Sequence, residues 1–157
     1  MGFNARLEAI QAAILGAKLP YLDQWNEMRR QNAKRYDTLL GGLDLKLPYE
    51  APYAKSVFHL YVIRAPKRDS LNACLNEQGI GSLIHYPKPN HLLDCCKQFG
   101  YKQGSLPVTE KIAKDVLSLP LYPELTEEQI QTIAEAIKSF QASQTPSKRS
   151  PVARLRK

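Results

Sequence analysis

Residues 7–40, LEAIQAAILGAKLPYLDQWNEMRRQNAKRYDTLL, decide how the chain is read. Leu7, Ile10, Ile14, Leu15, Leu19, Leu22, Trp25, Met28, Tyr36 and Leu39 recur mostly at steps of three and four. That is the spacing of a helix that buries one stripe. Good helix formers such as Glu8, Gln11, Ala12 and Glu27 fill the gaps. Asn4 is placed to cap the start, and Gly41-Gly42 supplies a stop. Pro20 has no N–H to donate and clashes with the carbonyl four residues back, so a kink is expected near Leu19. A helix of this length spans roughly 50 Å at 1.5 Å per residue. It is too long to lie on the core of so short a chain, and is expected to reach toward a further domain or a second chain.

Outward from the spine, residues 43–53 read as a loop punctuated by Pro48 and Pro52. Residues 56–64, SVFHLYVIR, are rich in β-branched and aromatic side chains and read as a largely buried strand. Asp69 or Ser70 is placed to cap a helix that Gly79 closes, and residues 80–84 read as a second strand ending at His85-Tyr86-Pro87. Residues 92–99 suit a short helix, residues 108–117 an amphipathic one, and residues 118–123 an extended segment. Thr126 and Gln129 form a capping box, and Ile130, Ile133, Ala134, Ile137 and Phe140 supply the apolar face of a last helix.

The net charge of +7 looks like a signal for nucleic acid until it is located. Residues 141–157 hold Lys148, Arg149, Arg154, Arg156 and Lys157 and no acid, which leaves +2 for the body. A basic tail with Ser, Thr, Gln and Pro between its charges is read as disordered and solvated, with no specific nucleic-acid partner. No stretch approaches the roughly 18 apolar residues a membrane span needs. Three cysteines, two of them adjacent at Cys95-Cys96, give neither a disulfide framework nor paired metal-ligand spacing. No metal is expected, and the cytoplasm is the natural compartment.

Chemistry-bearing residues are few. His59, inside the strand-like run, reads as a satisfied core histidine. His85 and Tyr86 stand at a strand end ahead of a Pro87-x-Pro89 segment that fixes the chain direction. Loops so placed present functional side chains, and a histidine beside a phenol suits a polar ligand. No acid stands at a spacing that would make either a catalytic base. Asn4 and Arg6 are open to two readings, a helix cap with a solvated arginine or an anion-binding pair at a helix N-terminus.

These motifs together resemble one family. Gly2-x-Asn4-x-Arg6-Leu7-x-Ala9-Ile10-Gln11 is similar to the segment following the cofactor-lysine region of the DegT/StrS sugar aminotransferases, fold-type-I enzymes that use pyridoxal phosphate. Val57-x-His59-Leu60-Tyr61-Val62, His85-Tyr86-Pro87-x-Pro89-x-His91, Leu106-Pro107-x-Thr109-Glu110 and Leu117-Ser118-Leu119-Pro120 continue the family's order. Leu93-Asp94-Cys95 departs from it, where the family often has Gln-Pro-Ala.

The resemblance implies an α/β (α+β) fold. It is the C-terminal small domain of such an aminotransferase, a long N-terminal helix with a small, largely antiparallel sheet covered by helices. It divides the chain into a connecting and dimer-contact helix (residues 1–42), the small domain (43–140) and the basic tail (141–157). It gives Asn4 to the pyridoxal phosphate of a partner subunit's site, and Arg6, His85 and Tyr86 to a nucleotide-sugar substrate. It also implies that the Schiff-base lysine and the acid facing the pyridinium nitrogen lie upstream of Gly2. The chain is then expected to be a C-terminal fragment of an enzyme that moves an amino group from glutamate to a keto-sugar. It would be inactive alone and would partner the large domain or another copy. The alternative is a non-catalytic module that binds a nucleotide sugar or another aminotransferase.

Overall fold

The computed structural model describes residues 6–144. Helix α1 (Ala9–Lys18) runs through a 3-10 turn (Leu19–Tyr21) into α2 (Leu22–Leu40). The change of helix type falls at Pro20, where the missing N–H and the ring clash put it. After a long loop come strand β1 (Tyr61–Arg64) and helix α3 (Arg68–Glu77). Two 3-10 turns (Asn90–Leu92 and Asp94–Phe99) lead to α4 (Pro107–Asp115), β2 (Val116–Leu119) and the last helix α5 (Glu127–Gln144). β1 and β2 pair antiparallel with Tyr61 opposite Leu119 and Arg64 opposite Val116. The fold is thus the small antiparallel sheet under helices that the sequence implies.

The core lies between this ribbon and α2, α3 and α5. Tyr36 and Tyr61 stack at its centre, ring centroids 4.9 Å apart. Each buried phenol has an acceptor: Tyr36 donates to the Pro120 carbonyl at 2.9 Å and Tyr61 to the Asp37 carboxylate at 2.6 Å. Burial pushes both phenols well above the ordinary tyrosine range, with Asp37 adding to the effect on Tyr61, so both remain donors. Asn32, also buried, donates to the carbonyls of Tyr122 and Leu125 and accepts from Arg35 at 2.7 Å. That sews the 120–125 segment to α2. Arg68 donates to the Ala113 and Val116 carbonyls, which pairs the open C-terminal end of α4 with a cation.

Several expectations need correction. Helix α1 begins at Ala9 with Glu8 at its cap position and no side-chain cap bond; Asn4 lies outside the described residues. The strand expected over residues 56–64 keeps only Tyr61–Arg64, because Phe58 takes a positive φ of 47° and breaks the extended run. His59 is consequently exposed and is not a core histidine. Residues 80–84 form no strand: Leu83 makes one bridge to Ser118 and is 63% exposed. The true partner of β1 is Val116–Leu119, whose first two residues extend the helical spacing of Ile112 and so read as helix. Helix α3 starts at Arg68 behind Lys67, whose φ is 55°, so Asp69 lies in the first turn and pairs with Arg68 without capping.

Other expectations hold. The positive φ that ends the spine is at Gly42, at 83°, two residues past the helix end at Leu40. The capping box forms, Gln129 N–H donating to Thr126 Oγ1 at 3.2 Å and Thr126 N–H to Gln129 Oε1 at 3.0 Å. Ile130, Ile133, Ala134 and Ile137 are buried as a face. Helix α5 continues to Gln144, beyond the boundary expected at residue 140, and residues 145–157 of the basic tail lie outside the described residues. Among the described residues no helix is long and apolar enough to cross a membrane.

Candidate functional site

The turn after Leu83 carries His85 and Tyr86 to the mouth of a cleft of about 380 Å³. Its polar wall is His85, Tyr86, Lys88, Asn90, His91 and Thr109. Its floor is apolar, with Leu106, Ile112, Ala113 and Val116. The chain reaches this place because the single bridge at Leu83 pins it to Ser118, with backbone bonds of 3.1 and 2.8 Å in the two directions. Ser82, one residue earlier, is buried and donates to Asn72 at 2.8 Å. Two anchors in consecutive residues therefore fix where His85 emerges.

His85 is half-buried, and its Nδ1 lies 2.9 Å from Ser118 Oγ, on the buried strand β2. Its ring meets Tyr86 edge-on at 5.5 Å. Tyr86 is 69% exposed, so its phenol faces whatever enters. Lys88 brings a positive charge to the same wall.

His91 is different: its side chain is only 6% exposed and its Nε2 lies 3.1 Å from Glu110 Oε1. Glu110, on the first turns of α4, also accepts from the backbone N–H of Gly104 at 2.8 Å and of Leu106 at 3.3 Å. The Gly104 N–H, with His91 and the Leu106 N–H adding, holds the Glu110 carboxyl below the usual glutamate range against the opposing effect of burial. Tyr101 closes over the His91 ring edge-on at 6.1 Å. His91 Nδ1 is buried and has no hydrogen-bond partner among the described residues.

The structure brings His85 and Tyr86 together and leaves Arg6 apart, exposed ahead of α1 and outside the cleft wall. Lys88, Glu110 and Ser118 were not singled out from the sequence. Glu110 and Ser118 both stand inside the motifs quoted above, but nothing in linear spacing ties residue 110 to residue 91 or residue 118 to residue 85.

The described residues do not by themselves fit a pyridoxal phosphate site. No lysine among them is buried. Glu110, which meets His91 of the cleft wall, already holds two backbone amides and His91. Nor do any three His, Cys, Asp or Glu side chains among them stand together as metal ligands, and Cys74, Cys95 and Cys96 are free thiols.

A second feature lies on α1. Helix α1 has no buried residue, and Ile10, Ile14, Leu15, Leu19, Tyr21 and Leu22 continue one exposed apolar surface across the 3-10 turn. Ile10 is 77% exposed. Large contiguous exposed apolar patches are a common mark of contact with other protein.

Comparison with known proteins gives a consistent answer. The model of the DegT/DnrJ/EryC1/StrS aminotransferase family matches residues 1–138. A pleiotropic regulatory protein of Geobacillus stearothermophilus is 50% identical over 144 residues, covering 89% of this chain and 38% of the relative. The UDP-N-acetyl-3-dehydro-alpha-D-glucosamine 3-aminotransferase of Acidithiobacillus ferrooxidans is 45% identical over 140 residues, covering 88% of this chain and 37% of the relative. The crystal structure of DesV from S. venezuelae superposes with a TM-score of 0.85 at 39% identity, covering 89% of this chain and 38% of that one. The chain thus spans little more than a third of the length of the relatives it matches.

Proposed function

We propose a function from one premise: the chain belongs to the DegT/DnrJ/EryC1/StrS aminotransferase family. In this reading it supplies the substrate side of an enzyme that transfers an amino group to a keto-sugar carried on a nucleotide. The observation that carries the reading is the cleft in which His85, Tyr86 and Lys88 stand together over an apolar floor. A cation beside an imidazole and a phenol that can hydrogen-bond suits a sugar nucleotide, whose diphosphate is anionic and whose sugar presents hydroxyls. The 45% identity to an aminotransferase named for a UDP-sugar supports the same class.

Residues 1–42 serve as the connecting and dimer-contact helix, 43–140 as the small domain and 141–157 as a tail outside the chemistry. Arg6, which lies outside the cleft wall, and Asn4 act across a subunit interface, Asn4 toward the phosphate of pyridoxal phosphate and Arg6 toward the sugar nucleotide. Pyridoxal phosphate supplies the electron sink for amino transfer when bound. Its lysine belongs to the part of the enzyme that these residues do not span. His85, held by Ser118, orients the substrate, and Tyr86 donates or accepts at the mouth of the cleft.

Titration of the chain with UDP-N-acetylglucosamine tests the substrate half. Saturable binding that is lost in a His85→Ala, Tyr86→Ala double variant is expected, and equal binding by both proteins contradicts the reading. Incubation with pyridoxal phosphate, borohydride reduction and intact mass test the cofactor half. No adduct confined to one lysine is expected, and a single specific adduct overturns the division of labour. Because the cleft is formed wholly within this chain, a cofactor-free sugar-nucleotide module is the second reading. It predicts the same binding with no gain of activity when the rest of a related enzyme is supplied.

A further inference from the structure

Glu110 does more than a helix terminus requires. An acid in the first turns of a helix commonly reaches back to backbone amides ahead of it, as Glu110 does to Leu106 and Gly104. That local task leaves no need for His91, which arrives from 19 residues earlier. Glu110 joins two separate stretches of chain that both wall the cleft, the turn Asn90–Leu92 and the segment leading into α4.

The chemistry of the pair fixes a proton. An ionised carboxylate only accepts hydrogen bonds, so the Nε2 of His91 carries the hydrogen. The other nitrogen is buried and has no partner among the described residues. Of the two neutral tautomers, the Nε2–H form leaves only a lone pair at Nδ1, a less costly orphan than a buried N–H.

We infer that Glu110 is a positioning residue of the cleft. Of the two neutral tautomers of His91 it selects the Nε2–H form, with Nδ1 left as an acceptor, and it ties the 102–106 segment to the same ring. As a contribution to sugar-nucleotide binding the inference rests on the function proposed above; as a statement about the tautomer and the segment it does not. Loss of the Glu110 side chain frees both walls at once. Glu110→Gln keeps an oxygen for the His91 N–H while weakening the hold on the amides.

The test uses the full chain labelled with ¹⁵N histidine, in which three histidines make assignment by substitution direct. Long-range ¹H–¹⁵N spectra at neutral pH are expected to show His91 as a single Nε2–H tautomer. Glu110→Ala is expected to give a tautomer mixture and to speed exchange of the Gly104 amide on the order of tenfold to a hundredfold. Glu110→Gln is expected to restore the tautomer and only part of the protection. A wild-type Nδ1–H tautomer, or Glu110→Ala spectra identical to wild type, overturns the inference. Titration with UDP-N-acetylglucosamine adds the functional readout: weaker binding in Glu110→Ala and recovery in Glu110→Gln are expected. Should the wild type bind no sugar nucleotide, the proposed substrate fails, while the tautomer and exchange results still decide the role of Glu110.

Discussion

The two halves of the N-terminal spine carry the same apolar spacing and have opposite surroundings. Helix α2 sets Ala33, Tyr36 and Leu40 into the core against α5 and the β-ribbon. Helix α1, joined to it through the Pro20 turn, buries nothing. The difference is not in the helices, since both have apolar residues at helical steps and both stop and start at the same proline. It lies in what faces them. The α2 stripe meets the Ile130, Ile133 and Ile137 face of α5, while the α1 stripe is exposed and contributes nothing to the core among the described residues. Periodicity therefore says that a face is meant to be covered, and leaves open by what.

Substitution within each half is the strongest way to break this comparison. Ile137→Ala, opening a cavity beneath α2, is expected to cost about 2–5 kcal/mol in urea unfolding. Ile14→Ala on the exposed stripe is expected to change the stability of the chain by no more than about 0.5 kcal/mol at concentrations low enough to keep it monomeric. Comparable losses at both positions would mean that α1 is packed within the chain after all.

Smaller effects sharpen the contrast. Asn32 ties α2 to the carbonyls of Tyr122 and Leu125. Asn32→Ala leaves the Leu125 carbonyl without its donor, while the Tyr122 carbonyl keeps the Leu125 N–H, for an expected loss of about 1–3 kcal/mol. An unchanged urea midpoint would mean that water replaces the amide. The smallest effect is a pH dependence at the cleft. Glu110 has its carboxyl held down in the folded chain, chiefly by the Gly104 N–H. Its stabilising contribution is therefore full above the ordinary glutamate range and is lost as pH falls through the depressed folded value. Urea midpoints measured through the acid range are expected to fall more steeply for the wild type than for Glu110→Gln. Parallel curves would remove the carboxylate from the account.

Much of this was legible in the sequence where the signal is local. The proline bend, the Thr126–Gln129 box and the α5 face depend on residues within one or two turns of each other. Strand β2 was not legible, because Val116 and Leu117 fit the helical spacing of Ile112 and only pairing with Tyr61–Arg64 makes them a strand. His59 was misplaced for the complementary reason: a β-rich composition predicted a strand that the positive φ at Phe58 cuts short. At the cleft, His85 and Tyr86 stood out by their place ahead of two prolines. Glu110 and Ser118 did not, because each acts on a residue that only the fold brings near.

Sedimentation velocity of the full chain, beside an Ile10→Glu, Ile14→Glu variant, tests most directly whether the α1 face is built for other protein. The wild type is expected to sediment as a dimer or larger species at micromolar concentration, and the variant to shift toward the monomer with its fold intact by circular dichroism. A wild type that remains a monodisperse monomer would contradict the account, because the exposed stripe would then need no cover.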